Sequence, residues 1–284
     1  MRTRFLERAG GRVAYDVTGP EDGRPMILVH GMGDTRATFR FLGPRLARAG
    51  YRVAAMDVRG YGESSADWPS YDVVPIGEDV LALARVLGGP AIVVGHSIGC
   101  ASAVWAAARE PGLVAELVLI GSFSGDTPVK SWMRLASRAV GRSPYLWSMF
   151  LRSSYPTARP ADFDDHLRAI RTNLREPGRA AALRAQIEVS LAGVVTRYPE
   201  VRCPALVVMG TKDRDFADPA AEARSIAAKL GGPAALLLVE GAGHYPHAEM
   251  PEATAKGILA ALDHGPSAGR FGDGPAMGCA EATA

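Results

Sequence analysis

Short, uninterrupted apolar runs punctuate this chain: Met26-Ile27-Leu28-Val29, Val53-Ala54-Ala55-Met56, Ala91-Ile92-Val93-Val94, Leu117-Val118-Leu119-Ile120, Ala205-Leu206-Val207-Val208-Met209 and Ala235-Leu236-Leu237-Leu238-Val239. Runs this short that do not alternate with polar residues predict strands buried on both faces of a sheet. Two further strand-like runs precede them, Arg4 to Arg8 and Arg12 to Val17, and Gly10-Gly11 between them supplies the positive φ of a tight hairpin turn. Between the apolar runs the period becomes helical. Phe39, Leu42 and Leu46 recur within Thr38 to Ala49, Val80, Leu83 and Leu87 within Ile76 to Leu87, and an Ala-rich stretch fills Ala101 to Arg109. Parallel strands need a crossover, so this alternation predicts an eight-stranded, mostly parallel α/β sheet with helices on both faces.

The alternation breaks once. From residue 122 to 201 no buried-strand run occurs, and four segments read as helices: Val129 to Val140, Tyr145 to Leu151, Ala161 to Leu174 and Pro177 to Leu191. A structureless loop of about eighty residues does not belong in a compact domain, so 122–201 is expected to be an inserted helical cap on a core of 1–121 and 202–264. The composition changes again after His264. Gly265 to Ala284 is rich in Gly, Pro, Ser and Ala and holds one Phe, too little apolar area to offset its ordering entropy, so a disordered tail is expected.

Composition narrows the function classes. At 48% apolar and 22% charged residues, with a mean hydropathy of +0.03, the chain is neither wholly disordered nor collagen-like. Even the run Ala101 to Ala108 stops at Arg109 and Glu110, far short of the roughly 18 apolar residues of a membrane span. Met1 to Arg12 carries five charged side chains and no apolar h-region, so the expected location is cytoplasmic. With a net charge of +2 and scattered basic residues, no nucleic-acid partner is expected. Cys100, Cys203 and Cys279 are odd in number and far apart, which argues against a disulfide framework. The six histidines show no H-x-x-x-H spacing and no C-x-x-C is present, so no metal site is expected.

Candidate chemistry centres on Gly95-His96-Ser97-Ile98-Gly99, between the Ala91 to Val94 run and the Ala101 to Arg109 helix. A serine at such a sharp strand-to-helix turn is held in strained geometry, and Gly95 and Gly99 let the chain fold back without a clash. The turn thrusts Oγ into a cleft. There the unpaired N–H groups and positive dipole end of the new helix face any developing negative charge.

With these residues, and four further matches, the sequence from about 5 to 263 resembles the α/β-hydrolase superfamily. His30-Gly31-Met32-Gly33 follows the first parallel strand; in the family this turn supplies one oxyanion-hole amide, here the N–H of Met32, with the N–H of Ile98 as the other. Asp57-Val58-Arg59-Gly60-Tyr61-Gly62-Glu63-Ser64 looks like the family's structural D-x-R-G-x-G-x-S loop. Gly210-Thr211-Lys212-Asp213 matches the G-x-x-D that carries the triad acid, and Gly243-His244 the position of the triad histidine. The resemblance thus implies an α/β-hydrolase fold with a Ser97, Asp213, His244 triad in the superfamily's chain order. In that scheme His244 takes the proton from Ser97, and the Asp213 carboxylate fixes the imidazole tautomer.

Each residue also has a plainer reading. His30 and His96 suit supporting or packing roles, and His247 a surface or subsite role. Asp215 and Asp126 are alternative acids, the G-x-x-D register favouring Asp213, while Asp218 before Pro219 reads as a helix N-cap. Trp132, Tyr145, Trp147, Phe150 and Tyr155 either line an apolar substrate pocket or pack cap on core. Cys100 reads as an inert packed thiol. The implied activity is cofactor-free hydrolysis of a carboxylic ester or lactone in a small to medium, partly apolar substrate, through an acyl-enzyme. Serine at the nucleophile position speaks against the superfamily's dehalogenases and epoxide hydrolases, which use aspartate there. Thioester, amide and carbon–carbon bond hydrolysis share the triad, and a small-molecule receptor or cyclase can share the scaffold.

Overall fold

The computed structural model describes residues 2–125 and 138–264. Asp126, Trp132 and the predicted tail therefore lie outside the described residues, as does most of the predicted Val129 to Val140 helix, of which 138–140 are helical. Eight strands form one sheet: β1 (Arg4–Arg8), β2 (Gly11–Thr18), β3 (Pro25–Val29), β4 (Arg52–Met56), β5 (Ala91–His96), β6 (Val114–Ile120), β7 (Ala205–Gly210) and β8 (Ala234–Val239), in the order β1-β2-β4-β3-β5-β6-β7-β8. The β1–β2 hairpin and the β2–β4 pair are antiparallel, and every other pair is parallel.

Side chains alternate across a strand, and here both directions end in apolar packing. Met26, Leu28, Ile92, Val94, Val118, Ile120, Leu206 and Val208 face α1 (Leu42–Arg48) and the helix Pro251–His264 through Leu42, Leu46, Ile258 and Leu262. Ile27, Val29, Val93, Leu117, Leu119, Val207 and Met209 face the opposite way, onto α2 (Val73–Val86), α3 (Ile98–Arg109) and the helix Pro219–Lys229. That two-sided burial is why the runs contain no polar alternation, and each such side chain stabilises the fold by roughly 2 kcal/mol.

The strand order positions the site. β4 lies on one side of β3 and β5 on the other, so the connections leaving β3 and β5 diverge at their carboxyl ends, the topological switch point at which a crevice is expected in an open α/β sheet. His30 ends the path out of β3, and Ser97 follows β5.

Between β6 and β7 the chain forms the helices Pro144–Ser153, Phe163–Arg175 and Arg179–Ile187 and a short helical turn, Ala192–Val195. Ser143 caps the first by accepting the Leu146 N–H, and Pro144 takes a first-turn position that needs no donor. In the second, Phe163, His166, Leu167, Ile170 and Leu174 form one buried stripe at helical spacing. Polar contacts hold this insert to the core. Arg40 grips both Asp162 oxygens at 2.7 Å, Tyr61 Oη donates to Gln186 at 2.8 Å, the Gly62 N–H donates to Asn173 Oδ1 at 2.9 Å, and Arg179 donates to the Ser64 carbonyl at 2.9 Å.

Candidate active site

Ser97 has φ 53° and ψ −124°, and among the described residues no other non-glycine has a positive φ. Such a conformation costs of order 1–3 kcal/mol and persists because its surroundings force it. A Cβ at Gly95 would stand 2.7 Å from the Cys100 backbone, and one at Gly99 would strike the Val29 and His30 carbonyls. Both glycines are therefore sterically required. The Ser97 N–H donates to the Ile120 carbonyl at 2.9 Å, fixing the turn to the end of β6. Cys100 beneath it donates to the Gly95 and Ile120 carbonyls at 3.2 and 3.3 Å, and burial pushes its thiol up to about 12, so it stays protonated.

The turn after β3 approaches Ser97 closely, because a Cβ at Gly31 would lie 3.0 Å from Ser97 Cβ. His30 organises this turn from the core. Its Nε2 accepts the Val58 N–H at 2.9 Å, so Nδ1 carries the proton and donates to the Gly31 carbonyl at 2.7 Å. Burial lowers the His30 pKa and keeps that tautomer neutral. The Met32 N–H has no hydrogen-bond acceptor among the described residues. Ile98 opens α3 directly after the serine.

On the other side of the crevice, the turn after β7 places Asp213 with its N–H on the Gly210 carbonyl at 3.1 Å. Its side chain is buried; Oδ2 lies 2.7 Å from His244 Nδ1 and Oδ1 accepts the Asp215 N–H at 3.0 Å. Asp215 Oδ2 lies 3.5 Å from the same ring nitrogen but remains partly exposed. Burial works to lower the His244 pKa, yet the charges of Asp213 and Asp215 and the Asp213 hydrogen bond together outweigh it and raise it to about 9. The Asp215 carboxyl is itself pushed up by burial. Asp213, Asp215 and His244 also bring possible metal-ligand atoms within 4.8 Å of one another. The Asp213 carboxylate already occupies the Nδ1 side of the His244 ring.

The histidine loop is held by Glu249, Ser154 and Thr157, which the sequence did not single out, together with His96. Glu249 is buried and accepts the N–H groups of Gly243 at 2.6 Å, Thr157 at 2.8 Å and Ala158 at 2.9 Å, tying the loop to the insert. His96 Nε2 lies 3.0 Å from the His244 carbonyl, and the His244 N–H donates to the Ser154 carbonyl at 3.2 Å. Among the described residues no hydrogen bond joins the Ser97 hydroxyl to the His244 ring; both lie against the end of β6, where a Cβ at Gly121 would stand 2.9 Å from His244 Cε1.

The remaining candidates separate. Trp147 is buried and bonded to the Gly33 carbonyl at 3.0 Å, whereas Tyr145 and Phe150 are 59% and 40% exposed. Tyr155 is buried and stacks on Tyr245 at 5.0 Å. His247, expected at the surface or in a subsite, is wholly buried: Nε2 lies 3.1 Å from Thr38 Oγ1, its ring packs on Phe39 and His96, and burial lowers its pKa to about 3. Asp218 is the N-cap of Pro219–Lys229, accepting the Ala221 N–H at 2.9 Å.

A family model described as "Alpha/beta hydrolase family" matches residues 26–256. A 2-(acetamidomethylene)succinate hydrolase from Mesorhizobium japonicum is 29% identical over 264 residues, spanning 89% of this chain and 93% of its own length. The dihydrolipoyllysine-residue acetyltransferase component of the acetoin cleaving system from Pseudomonas putida is 32% identical, spanning 89% of this chain and 67% of its own. Among solved structures, a membrane phospholipase A described as a bacterial virulence factor superposes with a TM-score of 0.77 at 26% identity, covering 93% of this chain and 86% of that one.

Proposed function

This chain belongs to the alpha/beta hydrolase family, and from that premise we propose that it is a serine hydrolase of carboxylic esters or lactones, with Ser97 as nucleophile, His244 as base and Asp213 as the orienting acid. The observation that carries the reading is the 2.7 Å bond from His244 Nδ1 to the buried Asp213 carboxylate, which leaves Nε2 as the ring nitrogen free to serve the elbow serine. In this mechanism Ser97 Oγ attacks the acyl carbon while Nε2 takes its proton. The Met32 and Ile98 N–H groups stabilise the tetrahedral oxyanion, each such donor lowering the barrier by about 3 kcal/mol. The leaving alcohol receives the proton from His244, an acyl group stays on Ser97, and water then repeats the sequence to release the acid.

Residues 122–201 serve in this reading as a cap over the crevice, with Trp147 at its inner face. A panel of p-nitrophenyl esters and matching thioesters, run on wild type and Ser97→Ala, tests the proposal. Ester turnover that vanishes with Ser97→Ala is expected; thioester preference would move the substrate class, and turnover surviving in Ser97→Ala would refute the nucleophile.

A further inference from the structure

Two side chains of the insert hold the turn that carries Met32. Trp147, on Pro144–Ser153, donates Nε1–H to the Gly33 carbonyl at 3.0 Å and fills the space a side chain at Gly33 would need. Gly33 has φ +65°, and a Cβ there would collide with the indole. His166, on Phe163–Arg175, places Nε2 3.3 Å from Asp34 Oδ1, with 5% and 1% of the two side chains exposed. Asp34 Oδ1 also accepts the Thr35 N–H at 2.7 Å, so the carboxylate is fixed to its own turn. Burial acts to raise the Asp34 pKa, but the adjacent His166 imidazole leads the opposing influences and holds it below the usual carboxylate value.

The core holds the other end of the same turn. His30 Nδ1–H grips the Gly31 carbonyl at 2.7 Å, and because a peptide is planar and trans, fixing that oxygen fixes the direction of the Met32 N–H. Two residues on, the Gly33 carbonyl and the Asp34 side chain are held from the insert. We propose that Trp147 and His166 are positioning residues for the oxyanion hole, so that seating the insert on Gly31–Asp34 aims the Met32 N–H at the reacting carbonyl. This inference rests on the serine-hydrolase reading above. Its physical basis is steep geometric dependence: a misplacement of about 1 Å costs on the order of a hundredfold in rate.

Three variants test it. Trp147→Phe keeps a ring and deletes the N–H, His166→Leu removes the partner of Asp34, and His166→Gln restores an amide donor. For each, kcat and KM with a short p-nitrophenyl ester are compared with affinity for a trifluoromethyl ketone, which the nucleophile converts to a tetrahedral adduct. The expected result is a fall in kcat on the order of tenfold or more in Trp147→Phe and His166→Leu, with KM changing less than about twofold and ketone affinity falling in parallel. His166→Gln recovers most of the kcat lost in His166→Leu. A merely structural role lowers the melting temperature without separating kcat from KM, and that outcome overturns the proposal. Should Trp147→Phe fail to fold, the His166 pair decides. Failure of a fluorophosphonate to label Ser97 in the wild type overturns the hydrolase reading and this inference with it; labelling with unaltered variant kinetics overturns this inference alone.

Discussion

The sheet core and the insert between β6 and β7 are held by different means. In the core, the site residues sit on turns whose geometry follows from strand ends: Ser97 at the end of β5, Asp213 after β7 and His244 after β8, each secured by backbone hydrogen bonds. The insert meets the core largely through separate side-chain contacts such as Arg40–Asp162, Tyr61–Gln186 and Asn173 on Gly62, with the backbone bond from the His244 N–H to the Ser154 carbonyl joining the two, and its Pro144–Ser153 helix leaves Tyr145, Leu146, Met149 and Phe150 exposed. What the insert contributes can change by local substitution.

That contrast can be broken most severely at the acid. Asp213→Asn removes the carboxylate that fixes the His244 tautomer, and kcat is expected to fall on the order of 10³- to 10⁴-fold in steady-state assays. Asp215→Asn, although only 3.5 Å from the same nitrogen, is expected to cost less than about tenfold; a larger loss there than in Asp213→Asn would reverse the two roles. At the next level, Leu28→Ala in the sheet is expected to destabilise by roughly 2–5 kcal/mol, whereas Met149→Ala on the exposed helix face stays within about 0.5 kcal/mol in urea unfolding. Glu249→Gln tests the joint between the regions. It exchanges a carboxylate that accepts three N–H groups for an amide with one acceptor oxygen, and a loss of roughly 1–3 kcal/mol is expected.

The smallest effect is a shift of pH. His244 is raised to about 9, so kcat/KM should climb with pH and level off above that value as the ring loses its proton. Asp215→Asn deletes a charge that favours the protonated ring and should move the climb to lower pH. Stability runs the opposite way. The folded state keeps a proton that the unfolded ring, near 6.5, gives up, so the contribution of His244 is full below pH 6.5 and is lost as pH rises through about 9. Denaturant midpoints across that range check the sign.

The strands were legible in the sequence because burial on both faces leaves an uninterrupted apolar signature, and the elbow because Gly95 and Gly99 are demanded by sterics that are local. The facing of the insert was not legible. The helix Pro144–Ser153 is apolar on two sides, with Trp147 and Leu151 turned inward and Tyr145 and Met149 outward, and periodicity alone cannot tell which side meets the core. Nor does anything near Glu249 in sequence reveal that it folds back onto Gly243 and across to Thr157. The Asp34–His166 contact joins residues 132 positions apart, beyond any pattern in a window of the chain. His247, expected at the surface or in a subsite, is instead enclosed by Thr38 and the rings of Phe39 and His96, residues far from it in sequence.

The central claim is that Ser97 carries an acyl group during turnover. Acid-quenching the protein during reaction with a slowly deacylated p-nitrophenyl ester, then mapping the adduct by mass spectrometry, tests it most directly. The acyl mass is expected on the peptide containing Ser97 and absent from Ser97→Ala; an acyl mass on another residue, or a burst of nitrophenol with Ser97 unmodified, would contradict it.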